Sequence, residues 1–269
     1  MNNNYRIFFE LQKEPFAADI PLEHILVTDT LKAVKKRIEY TIRLGAVALV
    51  TGEIGSGKST ALRYVVESLH PSQYRCLYLT ASSGSRLELY RQLLDSLGMD
   101  NKGTSRAIMV RNIKQQILEM VNAKKLRTLL IIDEASMLRM EVLAELHTLV
   151  QFEKDAKPFL PLVLAGQNNL VDSLSYRAAM PLASRVIARS HLDAVNRSQM
   201  KEYLLHHLTI AGGNHDLFDD TALTAIHQGS GGLFRKANHL ARGAIIAAAK
   251  QKCMTATADH VRMAATEIF

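Results

Sequence analysis

Short, β-branched apolar runs alternate with longer stretches of helical periodicity through the first two thirds of the chain. The runs are AVALVT (46–51), RCLYLT (75–80), TLLIID (128–133), PLVLAG (161–166) and VIARSH (186–191). The first and third are almost unbroken in apolar residues, as expected of strands in a parallel sheet covered on both faces. Between the second and third, Val110, Ile113, Ile117 and Met120 recur at helical spacing, and Thr104 or Ser105 can cap that helix. Strands and helices in this alternation predict an α/β domain built on a parallel sheet, with right-handed crossovers.

Past residue 191 the strand pattern stops. NRSQMKEYLLHHLTIAGG reads as a helix ended by Gly212 and Gly213, and residues 219–230, 234–252 and 257–268 read as three more. The expected division is therefore an α/β domain with an N-terminal extension over 1–191 and a small all-helical domain over 192–269. No internal repeat, low-complexity tract or proline-rich linker interrupts it.

Composition narrows the class. Of 269 residues, 48% are hydrophobic, enough for a sizeable core and against general disorder. Lys and Arg outnumber Asp and Glu by 33 to 26, a formal charge of +7, which suits an anionic partner or simply solubility. The two cysteines, Cys76 and Cys253, lie far apart with no zinc spacing, and read as reduced thiols of a cytosolic protein. The N-terminus lacks the cationic start and apolar core of a signal peptide. No apolar run approaches the roughly 18 to 20 residues that span a bilayer, so the expectation is a soluble, cytoplasmic protein with no membrane partner. Ten histidines carry no HExxH motif, and His206 and His207 are adjacent, so they point apart on a helix.

The chemistry is concentrated in TGEIGSGKST (51–60). Gly52, Gly57, Lys58 and Ser59 fit G-x-x-x-x-G-K-[ST], with an apolar strand before and the helical STALRYVVESL after. Glycines let successive backbone amides turn inward as an anion cradle, here spanning Gly52, Glu53, Ile54, Gly55, Ser56 and Gly57 into Lys58, Ser59 and Thr60. The following helix N-terminus adds positive potential. Lys58 is placed to reach the β- and γ-phosphates of ATP, and Ser59 to put its hydroxyl on Mg²⁺. About 75 residues on, LLIIDEAS sets Asp133 and Glu134 at the carboxyl end of an apolar strand. Asp133 is suited to hold Mg²⁺, and Glu134 to orient and polarise the attacking water.

Together with VLAGQNNL, LASRV, GGLFRKANHLA and the opening FFELQKEPF, these motifs resemble an AAA+ ATPase. More narrowly, they are similar to the ExeA/TniB-type group, which includes the transposition helpers TniB, TnsC and Mu B. The resemblance covers nearly the whole chain. It implies a P-loop AAA+ fold, a parallel sheet flanked by helices with a C-terminal helical lid. It also implies a polar contact to the γ-phosphate or water from Gln167, or alternatively Asn168. Arg235 would bridge lid to phosphate, and Arg185 would act as an arginine finger reaching a neighbouring subunit. Arg177 and Arg189 compete for that last role. The working form is then a homo-oligomer with active sites between subunits. Phe16 and Ile25 suit either adenine packing or a plain core role. The chain departs from the group at Ser136, where a bulkier polar residue follows DEA.

Two functions follow. In the first, the protein assembles on duplex DNA with ATP and recruits or stimulates a DDE-type transposase. Lys102, Thr104, Arg106, Arg111 and Lys114, gathered near one helix start, are the candidate DNA surface. In the second, it is a secretion or assembly ATPase similar to ExeA that works on protein. The absence of a membrane span after the lid favours the first.

Overall fold

The computed structural model of the protein describes residues 4–100, 105–153 and 157–268. These divide into two compact units. One, residues 28–52 and 58–192, holds the sheet. The other, residues 4–27, 53–57 and 193–268, is helical.

The sheet unit contains five strands, β1 (Val47–Gly52), β2 (Tyr74–Thr80), β3 (Arg127–Asp133), β4 (Leu162–Gly166) and β5 (Val186–Leu192), all parallel in the order β2-β3-β4-β1-β5. The order explains the hydrophobic pattern. β1 and β4 are buried at every position and β3 at all but its first, because each has strands on both sides and helices on both faces. The edge strands β2 and β5 alternate between buried and accessible residues instead. Helix α2 (Asp29–Leu44) leads into β1, and the crossovers run through α3 (Lys58–Ser68), α4 (Arg86–Ser96), α5 (Arg106–Asn122), α6 (Met140–Leu149), α7 (Asn169–Ser175) and α8 (Met180–Ala183). A short helix α1 (Asn4–Phe8) precedes them in the chain. On α5, Met109, Ile113, Ile117 and Met120 are buried, one turn-spaced stripe facing the sheet core. Val110, expected on that stripe, packs only partly against it.

The helical unit comprises α9 (Arg197–Ala211), α10 (Asp220–Ser230), α11 (Phe234–Lys250) and α12 (Ala258–Ile268), together with α1 and the segment after it. α9 opens with a reciprocal capping box between Asn196 and Gln199 and ends at Gly212. The N-terminal extension belongs with these helices and not with the α/β unit. Phe9, Leu11 and Phe16 bury among Leu204, Leu208 and Phe218. The amides of Gln12 and Lys13 donate to the Ala211 carbonyl at 2.8 and 3.3 Å, satisfying the end of α9. Arg242 donates to the Pro15 and Phe16 carbonyls at 3.3 and 2.8 Å and pairs with Glu14 at 3.1 Å. Hydrophobic periodicity cannot announce such packing, because an extended segment has no face of its own until a partner supplies one. Phe16 is accordingly a core residue, stacked on His207 with ring centroids 5.6 Å apart.

His207 lies between the rings of Phe16 and Tyr203, 3% exposed, and burial holds its imidazole down to about 4. The positive potential of neighbouring His206 adds to the shift. The folded pKa is below the unfolded value of about 6.5, so the unfolded chain binds the extra proton first. Stability from this group is full above pH 6.5 and falls as pH drops toward 4, by as much as about 3 kcal/mol. Melting temperature measured from pH 7.5 to 4 should show this decline, and His207→Leu should flatten it. Parallel curves for the two proteins would remove His207 as the cause.

Candidate active site

β1 ends at Gly52, β3 at Asp133 and β4 at Gly166, and these three strands are neighbours in the sheet. Their carboxyl ends form the edge at which open α/β sheets bind ligands. Gly52 and Gly166 lie more than a hundred residues apart in the chain, with Asp133 between them, and the β3-β4-β1 order brings the three together.

Lys58 begins α3 and is 5% exposed, with its Nζ donating to the Gly52 carbonyl at 2.9 Å. The ammonium is thus held beside the loop mouth, while Ser59 and Thr60 on the same first turn are exposed. Asp133, also 5% exposed, accepts from two donors. Its Oδ1 accepts the Glu134 amide and its Oδ2 accepts the Tyr78 hydroxyl, each at 2.8 Å. Burial first, then the bond to Asp133, pushes the Tyr78 phenol well above its usual range, so it remains a donor at physiological pH. Glu134 adopts a left-handed conformation, φ 53° and ψ 31°, rare for a residue with a side chain. Such strain persists where the surroundings hold it, and here it turns the chain sharply at the end of β3.

Gln167 follows β4, and its amide donates to Ser136 Oγ at 3.3 Å. A Cβ at Gly166 would sit 2.8 Å from the Ser136 amide nitrogen, so only glycine permits this approach. Ser136 therefore ties the loop after β3 to the end of β4. Asn168 is exposed at the start of α7.

Within the helical unit, the loop apex 53–57 meets the first turn of α11. The Arg235 amide donates to the Gly55 carbonyl at 3.3 Å. Gly55 has φ +85°, and a Cβ there would lie 2.8 Å from that of Arg235. Arg235 thus begins its helix against the phosphate loop, with its side chain exposed. Glu53 and Ile54 are exposed as well, whereas Ser56 is 3% exposed. Its Oγ is buried without a hydrogen-bond partner among the described residues. A buried hydroxyl left unsatisfied inside a glycine-rich loop fits a cradle built for an anion's oxygens. Within the sheet unit, the ammonium of Lys58, the hydroxyl of Ser59 and the carboxylate of Asp133 are of the chemistry that suits a nucleoside triphosphate with Mg²⁺.

Arg185 lies elsewhere. It precedes β5, and its carbonyl accepts the Val47 amide at 3.0 Å, at the start of β1. Gly52 ends that strand five residues on, about 16 Å away along the sheet. No arginine side chain spans that distance to the phosphate loop of its own subunit. Arg189 pairs in register with Leu49 midway along β1, and Arg177 is exposed after α7.

Of the five residues expected to meet DNA, Lys102 and Thr104 lie outside the described residues. The other three do not form a common cationic face. Arg106 pairs with Glu145 at 2.5 Å, and the same buried carboxylate also holds Tyr90 and Arg86. Lys114 donates to the Thr148 and Gln151 carbonyls at 3.0 and 2.8 Å, and burial lowers its pKa. Arg111 is exposed, so of the three described cations Arg106 and Lys114 are tied by side-chain bonds to α6 and the residues just after it. Helical spacing alone does not distinguish a solvated cation from one folded back on a neighbouring helix.

The family model of the AAA domain matches residues 42–174, from the end of α2 to α7. This match contains both the phosphate loop and the Asp133–Glu134 pair. The chain is an AAA+ ATPase. General secretion pathway protein A of Aeromonas hydrophila is 28% identical to this ATPase over 266 residues, 98% of the chain. The ATPase spans about half of that relative, 48% of its length. Among solved structures, Cdc6p from Pyrobaculum aerophilum matches with a TM-score of 0.73 at 19% identity, covering 94% of this chain and 70% of that one. The Aeropyrum pernix ORC1 protein, solved in complex with DNA, matches with a TM-score of 0.71 at 18% identity, covering 94% and 68%. At these identities the solved structures bear on the fold alone. No helix among the described residues is long and apolar enough to cross a membrane.

Proposed function

We propose that this ATPase is an assembly motor of the secretion type, using ATP to change its own association and so to act on protein partners. The observation that carries this reading is the similarity to General secretion pathway protein A, which runs through the α/β unit, the helical unit and the N-terminal segment alike. It moves the preference away from the transposase partner. In this reading Lys58 holds the β- and γ-phosphates, Ser59 and Asp133 hold Mg²⁺, and Glu134 takes up the proton of the attacking water. The Mg²⁺ supplies charge neutralisation at the phosphates. Gln167 contacts the γ-phosphate or the water, and Arg235 links nucleotide to the helical unit.

Arg185 acts on a neighbouring subunit's site, since its place at the start of β5 denies it its own. Arg185→Ala should leave ATP binding nearly intact and reduce hydrolysis by assembled protein. Adding subunits that keep Arg185 but carry Glu134→Gln should restore part of the activity, each lending its arginine to a neighbour. A mixture that stays inactive would return Arg185 to a structural role.

A second reading, ATP-dependent assembly on duplex DNA to serve a DDE-type transposase, is favoured by the +7 charge and by a fold shared with a protein solved on DNA. Self-association and phosphate release measured with ATP, with and without duplex DNA at low salt, separate the two. The secretion reading expects both to be unchanged by DNA. The DNA reading expects ATP-strengthened binding whose log K falls with log salt by about 0.9 per phosphate contact.

A further inference from the structure

We propose that Tyr78 is a positioning residue of the hydrolytic site: its hydroxyl locks Asp133 in the orientation that serves Mg²⁺ and steadies the Glu134 turn. The proposal rests on the reading of Asp133 as a Mg²⁺ residue. Tyr78 lies on the edge strand β2, in register with Ile131, so Asp133 is its diagonal neighbour on the same face of β3. Tyr78 is 40% exposed, on a strand whose buried positions are Leu77 and Leu79. Core packing therefore does not account for an aromatic residue here. What the side chain does is donate to Asp133 Oδ2 at 2.8 Å.

The consequence passes along the chain. A carboxylate has about four lone-pair positions, so two donors leave room for a metal-bound water or the metal itself. With Oδ2 held by Tyr78, Oδ1 is fixed against the Glu134 amide at 2.8 Å. That bond holds the first residue of a left-handed turn, φ 53°, a conformation that glutamate adopts only when its surroundings enforce it. Loss of the phenolic hydroxyl frees the Asp133 side chain to rotate. Both the metal position and the support of Glu134 then loosen, while the bond from Lys58 Nζ to the Gly52 carbonyl does not run through Tyr78.

The test is Tyr78→Phe, which keeps the ring, made in a Glu134→Gln background so that nucleotide is not consumed. Binding of a fluorescent ATP analogue is titrated in EDTA and across Mg²⁺ concentrations, and the melting temperature is measured beside it. Expected are an affinity in EDTA within about twofold of the parent, and a Mg²⁺ half-saturation raised about five- to tenfold, as for loss of one bond to a charged group. The melting temperature should hold. An unchanged Mg²⁺ half-saturation would overturn the proposal. So would an equal loss of affinity with and without Mg²⁺ alongside a lower melting temperature, which would make Tyr78 a packing residue. A parent protein whose ATP affinity ignores Mg²⁺ would remove the metal site itself, and the proposal with it.

Discussion

Replacing Lys58 with alanine abolishes measurable ATP binding. Residues 51–60 contain one cation, Lys58, and no other side chain of the loop can follow the β- and γ-phosphates. Its Nζ rests on the Gly52 carbonyl at 2.9 Å, already at the loop mouth, so little reorganisation precedes its use. Charge-assisted bonds to two phosphates contribute about 3 kcal/mol or more together, so affinity should drop at least about 10²-fold. Calorimetric titration reads this directly. The fold is a built-in control, because removing a buried ammonium also removes its desolvation cost, and the melting temperature should change by only a few degrees. Unchanged affinity would mean that the loop does not hold the triphosphate.

Glu134→Gln has the opposite profile. The amide keeps the shape and the left-handed turn, whose amide donates to Asp133, but it cannot accept a proton from water. ATP stays bound and turnover falls at least about 10²-fold, within the usual range for a lost general base. Near-normal phosphate release would transfer the role of general base to another residue.

Much of this site is legible in the order of the amino acids. The central strands β1 and β3 announce themselves as unbroken apolar runs, and the glycine loop and Asp133–Glu134 follow them at strand ends, where parallel sheets place ligands. What stays hidden depends on contacts between distant segments. Phe9, Leu11 and Phe16 join the helical unit through bonds and burial that no periodicity encodes. Arg106 and Lys114 look like free cations on a helix until Glu145 and the carbonyls at the end of α6 take them up. Tyr78 reads as one more edge-strand aromatic, because alternation gives its face but not the register that sets it beside Asp133. Ser136 reads as a mere departure, and its place against Gly166 gives it a structural task.

The most direct measurement is phosphate release from Mg²⁺–ATP by the purified chain, run beside its Glu134→Gln variant with nucleotide affinity recorded for both. The expected result is steady turnover by the first, at least about 10²-fold less by the second, and similar affinity in the two. No phosphate release across a wide range of protein concentration, or equal release by both proteins, would contradict an ATPase working through this site.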